Sequence, residues 1–265
     1  MAEVLGIDVS HHNGKIDWSY VKKNGKKFAI IKAQYESKGH RVDEYFERNY
    51  KGAGENGLMR GVYIYIARTS VSDPLGDAKA LLEKLNGRDL EYGIWLDLED
   101  KNIRYLGKEG LEQLAYTYAN VFRAAGYFVG IYCNLDWYNN LMSNNLKKDF
   151  DFWIARYPKN DTGNYNPNSS LKPKKIAVAW QFTSKANVPG CKTHVDVNVD
   201  FDGIINMMGT DKVGYRKTNR EVAQEVIAGK WGTASTKPSR RELLTAAGYD
   251  YTTIQKLVNQ LVRTK

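Results

Sequence analysis

The sequence predicts an α/β protein: a modified TIM-like barrel of about eight strands, with helices mainly in its first half, followed by a small three-helix C-terminal module. Three observations lead to this prediction. Short β-rich runs alternate with helical patterns in the first half, irregular segments separate the later strands, and the end of the chain shows only helical spacing. The 265 residues are 42% hydrophobic, which is enough to fill a barrel-sized core.

Eight runs rich in β-branched and aromatic residues predict the strands, at residues 4–9, 28–33, 62–66, 93–98, 128–132, 152–157, 178–182 and 194–199. Helical patterns between the earlier strands cover residues 42–55, 74–85 and 108–125. In such barrels the chemistry gathers at the carboxyl ends of the strands. Polar residues at those ends are therefore the first candidates for function.

A domain boundary is predicted where the strand signals stop. Residues 1–209 are expected to form the barrel, 210–218 a polar linker and 219–265 the module. We expect Pro238 in the first turn of the second module helix and Gly248 at its end. Met207 and Met208, before the linker, could act as an internal start that produces free module. Apolar residues with helical spacing predict the three module helices, and they are Val222, Val226, Ile227, Leu243, Leu244, Ala247, Ile254, Leu257, Val258 and Leu261.

The net charge of +9 is concentrated at the end of the chain, where 11 basic and 5 acidic residues from Asp211 onward give +6. Such a surface favours anionic partners, and charge alone does not choose among nucleic acid, lipid and cell wall. Nucleic-acid binding is not expected, because the basic residues form no recognisable recognition module. Membrane insertion is not expected either, because no apolar run approaches the roughly 18 residues that span a bilayer.

The start of the chain lacks the basic and long apolar regions of a secretory signal, so synthesis in the cytoplasm without a signal peptide is expected. Cys133 and Cys191 are expected to be free thiols. The histidines show no metal-ligand spacing and the chain has no Cys-x-x-Cys pair, so neither a metal nor another cofactor is expected.

Acidic residues lie at the predicted ends of three strands. Asp97 and Glu99 are two residues apart and therefore point to the same side of an extended chain. Asp8 ends the first strand, and Asp196 lies in the last one. Clustered carboxyls with different pKa values supply the proton donor and the negative charge that glycoside cleavage needs. An isolated Asp-x-Glu pair would be more simply explained as a solvated strand end, and the other two acids favour the catalytic interpretation.

Aromatic residues on the same strands are candidates to bind sugar rings through their apolar faces. Each of them alone is more simply explained as a core residue. Lys32, near the end of the second strand, completes the candidate substrate-binding set. The aromatic members are Tyr63, Tyr65, Tyr132, Trp153, Tyr157 and Trp180.

An ordered series of motifs runs from Gly6 to about Ile204 and resembles the glycoside hydrolase family 25 lysozymes, muramidases common among phage endolysins and bacterial wall hydrolases. The motifs include GIDVS at 6–10, FAIIKA at 28–33, GVY at 61–63, DLE at 97–99, GIY at 130–132, WIARY at 153–157, WQFTS at 180–184 and VDVN at 195–198. Two positions depart from the family pattern. Gln34 stands where small hydroxyl residues are usual, and Tyr65 where His is frequent.

The resemblance implies hydrolysis of the β-1,4 bond between N-acetylmuramic acid and N-acetylglucosamine in bacterial peptidoglycan. It implies Glu99 as the general acid and Asp97 as the residue that positions or stabilises the acetamido group of the substrate. It assigns Asp8 and Asp196 as pocket acids that tune these two. It also favours retention of the configuration at the anomeric carbon, assisted by the acetamido group. The spacing of two residues on a strand leaves both retaining and inverting outcomes open.

The module resembles the CW_7 repeat of phage lysozymes, which binds peptidoglycan fragments, through REVAQEVIAGKWG at 220–232 and LTAAGYDY at 244–251. Trp231, Gly232 and Arg240 are the candidates for its wall-binding surface. Trp231 would offer a stacking face and Arg240 a guanidinium fork, although Trp231 could equally fill the core of the module. Many relatives carry several copies, so one copy here would require avidity, for which self-association through the module is one route.

The sequence therefore predicts a peptidoglycan hydrolase of the endolysin type that acts on the bacterial cell wall after release. A phage origin is favoured, because an enzyme without a signal but with an extracellular substrate suits release through a separate membrane lesion. The alternative is a non-catalytic peptidoglycan-binding protein on a lysozyme-like barrel. The presence of all four expected acids argues against that alternative.

Overall fold

The computed structural model of the chain describes residues 3–34, 41–201 and 216–263. Eight strands pair in chain order and close into a barrel. They are β1 Val4–Val9, β2 Phe28–Gln34, β3 Met59–Tyr65, β4 Ile94–Asp97, β5 Val129–Asn134, β6 Phe152–Ala155, β7 Ala179–Ala186 and β8 Val195–Asp200. The predicted barrel is confirmed.

The last strand is what modifies the barrel. Strands β1 to β7 run parallel to one another, whereas β8 runs antiparallel to its two neighbours, β7 and β1. The amino end of β8 therefore lies beside the carboxyl ends of the other seven strands. A residue near the start of β8 can thus join a site built from strand ends.

Within residues 3–34 and 41–201, every barrel helix precedes β6, and no helix lies between β6 and β8. Helix α4 shows how local chemistry fixes a boundary, because Asp73 accepts a hydrogen bond from the Gly76 amide and Pro74 occupies the first turn. The helices are α1 Trp18–Lys23, α2 Phe46–Glu55, α3 Arg68–Ser72, α4 Pro74–Leu85, α5 Gly107–Ala124, α6 Leu135–Asn140 and α7 Asn144–Asp149, with 3-10 helices at His11–Asn13 and Lys101–Leu106.

The helix that the sequence predicts at residues 42–55 starts later in the structure than predicted. Val42 forms an isolated antiparallel bridge with Gln34, and the Asp43 amide donates to the Ala33 carbonyl oxygen at 3.1 Å. This extended pairing occupies the backbone before the helix, so α2 begins only at Phe46.

Successive side chains of each strand alternate between the inside and the outside of the barrel, which gives two separate apolar layers. Large side chains such as Trp95 and Trp153 fill the barrel interior and pack edge to face, with ring centroids 5.8 Å apart. Residues such as Ile7 and Leu96 point outward and pack beneath the helices. Gly130 allows the inner packing, because a Cβ atom there would lie 2.4 Å from the Trp95 ring.

The C-terminal module has the three expected helices, α8 Asn219–Ile227, α9 Arg240–Ala246 and α10 Tyr251–Arg263, around one small apolar cluster. Pro238 does not lie in the first turn of α9 as predicted. A capping box between Ser239 and Glu242 sets the start of the helix, so Pro238 precedes it. Gly248 follows the helix end with a φ of 74°. Met207, Met208 and most of the predicted linker lie outside the described residues.

The module contacts the barrel. The side-chain amide of Asn120 in α5 donates to the Lys230 carbonyl oxygen at 2.8 Å, and the Lys230 ammonium pairs with Asp149. Leu75 and Ala124 of the barrel pack against the apolar cluster of the module. Among the described helices, none is both long and apolar enough to cross a bilayer.

Candidate active site

The barrel brings the four predicted acids to one opening. Asp8 lies at the end of β1, Asp97 ends β4, Glu99 follows two residues later, and Asp196 lies near the start of β8. Asp8 and Asp196 are direct cross-strand partners in the β1–β8 pair. The antiparallel direction of β8 causes this meeting of residues that lie at opposite ends of the barrel sequence.

Asp8 and Asp196 form a hydrogen-bonded carboxyl pair. Burial raises the pKa of Asp8 to about 6, against the hydrogen bonds that its carboxylate accepts. Burial and the negative charge of Asp8 raise the pKa of Asp196 to about 8. Near neutral pH the pair therefore holds one proton and one negative charge.

Two amide side chains fix Asp8. Its Oδ2 atom accepts hydrogen bonds from Gln181 Nε2 at 2.9 Å and from Asn198 Nδ2 at 2.8 Å. Sequence analysis missed both amides. Asn198 could have been found, because it lies two residues after Asp196 on β8 and so points to the same side.

Asp97 and Glu99 form the second acidic pair. Asp97 is only 4% exposed, and its Oδ1 atom is buried without a hydrogen-bond partner in the described part of the chain. Burial raises the pKa of Asp97 well above its usual range, with the charges of Glu99 and Asp8 acting in the same direction. Burial also raises the pKa of the half-buried Glu99, and Asp8 adds to that effect. Such a pair can divide the roles of proton donor and anion.

Lys32 supplies positive charge near the acids. It opposes the upward pKa shifts of Asp97 and Glu99. Its ammonium lies 5.6 Å from the ring centroid of Tyr63 and 4.8 Å from that of Tyr65, within cation–π range. Burial raises the pKa of the Tyr63 phenol, and the charges of Asp8, Asp97 and Asp196 act in the same direction. The structure therefore places Lys32, Tyr63 and Tyr65 at the site.

Gln34, which departs from the family pattern, points away from the site. A register shift in the β2–β3 pair lies between Lys32 and Gln34 and turns Gln34 outward. Its amide binds Asp77 of α4, which also accepts a hydrogen bond from the Tyr118 hydroxyl at 2.7 Å. Gln34 therefore joins a buried polar network between the barrel and its helices.

Three of the predicted aromatic residues support the acids through hydrogen bonds. The hydroxyl groups of Tyr132 and Tyr157 both donate to Gln181 Oε1, at 2.8 Å for Tyr132. The indole of Trp153 donates to Asn198 Oδ1 at 2.9 Å. Tyr132 and Trp153 are buried, whereas Tyr157 is 42% exposed and can offer its ring to a sugar.

Trp180 is not part of the site. It is 2% exposed, donates to the Arg156 carbonyl oxygen at 2.8 Å and packs against Phe182 outside the barrel. Alternation is the reason, because Gln181 points into the barrel and its neighbour Trp180 must point out. Its assignment to the substrate-binding set is therefore corrected.

Trp231 of the module does not present a free stacking face. It is 2% exposed, packs edge to face against Tyr249 at 5.9 Å between centroids and donates to Glu225 at 3.1 Å. The alternative interpretation applies, in which Trp231 fills the core of the module. The predicted stacking role is therefore corrected.

The guanidinium of Arg240 is already engaged within the module. It donates to the Gly232 carbonyl oxygen at 3.0 and 3.2 Å and to Gln255 at 3.3 Å. Gly232 lines a groove of about 210 Å³ between the module and α5, together with Glu109, Glu112 and Thr233. The predicted wall-binding loop thus faces the barrel across this groove.

Comparisons with known proteins match both parts of the chain. The model of glycosyl hydrolases family 25 matches residues 7–191, and the CW_7 repeat model matches residues 220–262. The uncharacterized protein YegX of Escherichia coli O157:H7 is 30% identical over 209 residues, which cover 76% of this chain and 70% of YegX. Lysozyme M1 of Streptomyces globisporus is 29% identical over 214 residues, 74% of this chain and 67% of that protein. The crystal structure of the bacterial lysozyme from Streptomyces coelicolor superposes with a TM-score of 0.63 at 26% identity and covers 82% of this chain and 100% of its own.

Proposed function

Because this chain belongs to glycosyl hydrolases family 25, we infer from its four carboxyl groups how it cleaves its substrate. The chain is a lysozyme, a peptidoglycan muramidase that hydrolyses the β-1,4 bond between N-acetylmuramic acid and N-acetylglucosamine. One observation supports the residue roles proposed below. Two pairs of acidic residues lie at one opening of the barrel, and the pKa values of all four are raised.

We propose that Glu99 is the general acid. It is the more exposed member of its pair and can therefore reach the glycosidic oxygen, and burial and the charge of Asp8 raise its pKa above that of an ordinary glutamate. In the first step Glu99 transfers its proton to the glycosidic oxygen while the acetamido oxygen of the muramic sugar attacks the anomeric carbon. The leaving sugar departs with that proton, and water later opens the cyclic oxazolinium ion as Glu99 takes a proton back. Two displacements at one carbon give net retention.

We propose that Asp97 holds the acetamido group during this attack. Its buried Oδ1 atom lacks a partner within the described residues and can accept the N–H of that group. A carboxylate there also stabilises the positive charge that develops on the acetamido group. Asp8 and Asp196, which share one proton, add a single negative charge that raises the pKa of Glu99.

The test is an analysis of the products. Purified peptidoglycan is digested and reduced with borohydride, and the expected products are fragments that end in N-acetylmuramitol. N-acetylglucosaminitol would instead show cleavage of the other glycosidic bond. Proton NMR during the first minutes should show the β-anomer of the new reducing end before the α-anomer, and the reverse order would contradict retention.

For the C-terminal module we propose wall attachment through Arg240, Gly232 and the groove beside α5. The CW_7 match supports this assignment, and Arg240 fixes the loop that lines the groove. Replacing Arg240 by Gln in the full chain should weaken binding to purified walls about tenfold, the effect of one lost charge-assisted hydrogen bond. Wall pull-down at several protein concentrations measures this change.

Arg241→Gln is the matched control, because Arg241 is exposed on the same helix and the variant loses the same charge. It should retain wall binding. Equal losses in both variants would mean that net charge, and not the groove, retains the protein on walls.

We also propose an endolysin role, supported by the pairing of a family 25 barrel with a CW_7 repeat in one chain. In this role the enzyme is made in the cytoplasm and reaches the wall after release. Cells that express it should stay intact until their membrane is permeabilised and then lyse, and lysis without permeabilisation would contradict the role.

Self-association through the module would add avidity to a single repeat, and sedimentation velocity on the full chain tests it.

A further inference from the structure

The connection between β6 and β7 carries an acid that sequence analysis does not single out, Asp161. Its Oδ1 atom accepts hydrogen bonds from the Thr183 hydroxyl at 2.7 Å and from the Gly163 amide at 2.9 Å. Its Oδ2 atom is buried and has no hydrogen-bond partner in the part of the chain that the structure describes. One oxygen therefore fixes the loop, and the other remains available for an electrostatic contact.

The position of Asp161 is fixed by close packing of its loop on β7. Gly163 has a φ of 78°, and a Cβ atom there would lie 2.6 Å from the Lys185 carbonyl oxygen. Thr183 is fully buried, and its hydroxyl oxygen also accepts the Lys185 amide at 2.9 Å. The loop thus fits the irregular part of β7 between Thr183 and Ala186. Asp161 is held in one place and is not a freely solvated surface acid.

Asp161 lies beside the start of β8. Its partner Thr183 pairs in register with Val197, the residue after Asp196. The charge of Asp161 contributes to the raised pKa of Asp196, after burial and the effects of Asp8 and Glu99. Within the described ranges, the phenols of Tyr63 and Tyr157 also interact electrostatically with Asp196. All of these groups are acids, so the surroundings favour a proton on Asp196.

We propose that Asp161 is a positioning residue of the hydrolysis that acts through Asp196. Its unpartnered carboxylate oxygen keeps the shared proton of the acidic pair on Asp196, so that Asp196 donates to Asp8. Asp8 then remains the ionised member of the pair and faces Glu99. The inference rests on the proposed roles of the four acids, and it adds a fifth carboxyl group, whose charge favours the shared proton on Asp196.

The test separates the charge of Asp161 from its hydrogen bonds. Asp161→Asn keeps an oxygen that can accept from Thr183 and Gly163 and removes only the charge. Thr183→Val keeps the charge and removes one of the hydrogen bonds. Two quantities are measured in the full chain. The first is the pKa of Asp196, obtained by NMR titration of its carboxyl carbon, and the second is the pH profile of kcat/KM on soluble glycan chains.

We expect Asp161→Asn to lower the pKa of Asp196, by less than Asp8→Asn lowers it, because removing a nearby negative charge makes ionisation of Asp196 easier and Asp8 has the larger effect. The alkaline limb of kcat/KM follows the proton of Glu99 and should move to higher pH, because the pair carries its second negative charge at lower pH and that charge raises the pKa of Glu99. Thr183→Val should leave both the titration and the limb in place.

An unchanged Asp196 titration in folded Asp161→Asn would overturn the inference. An equal shift in Thr183→Val would also overturn it, because the loop attachment and not the charge would then be responsible. If Asp161→Asn fails to fold, Asp161→Ser removes the charge while its hydroxyl can still accept the Gly163 amide, and the same criteria apply. A shifted titration in an enzyme without muramidase activity would support the inference and contradict the proposed function.

Discussion

Replacing Glu99 by Gln should lower kcat/KM on peptidoglycan by about 10²–10⁴-fold, because the variant keeps the size of the side chain and loses the proton that the leaving oxygen requires. The loss should appear mainly in kcat, since substrate contacts are preserved. Clearing of wall suspensions and release of reducing sugar measure it. Glu83→Gln, at an exposed glutamate on α4, is the matched control and should retain the rate of the parent enzyme.

The pH dependence gives this prediction a second measurement. Glu99 must be protonated to act, so activity should fall as the pH rises through its raised pKa. The negative charge of Asp8 contributes to that raised value, so Asp8→Asn should move the alkaline limb to lower pH. A folded Glu99→Gln enzyme with a near-normal rate would mean that another group donates the proton, and Asp97 would be the first alternative.

Replacing Asp97 by Asn should lower kcat on the order of 10²–10³-fold, the typical effect of removing one preorganised electrostatic contact from an active site. The variant loses the negative charge that stabilises the acetamido group during its attack. On de-N-acetylated glycan, where this group is absent, the rates of the parent and the variant should converge. Equal rates on the normal substrate would contradict the role of Asp97.

Folding of the Asp97→Asn variant provides its control. Asp97 is buried, and its pKa is raised well above the usual range, so an ionised carboxylate there is costly in the free enzyme and is offset only by the positive charge that develops on the acetamido group. A neutral amide removes that cost, and the thermal midpoint should stay level or rise. Loss of activity together with a lower midpoint would point to a damaged fold and not to a missing charge.

The sequence by itself determined the positions of the barrel strands and the three module helices, and it placed the four acids at strand ends. Local periodicity carries this information, because alternation decides which residues of a strand share a face. The alternation of side chains along β7 would also have excluded Trp180 from the substrate-binding set, since Gln181 beside it points into the barrel. The same rule connects Asp196 to Asn198, which sequence analysis passed over.

Only the tertiary structure decided which strand ends meet and which side chains remain free. The antiparallel entry of β8 places Asp196 against Asp8, and the register shift after Lys32 turns Gln34 away from the site. Loop packing on β7 places Asp161 near Asp196. These contacts join residues far apart in the chain, and their geometry depends on barrel closure and bulges. Local periodicity determines the face of each residue, whereas closure of the barrel determines its neighbours.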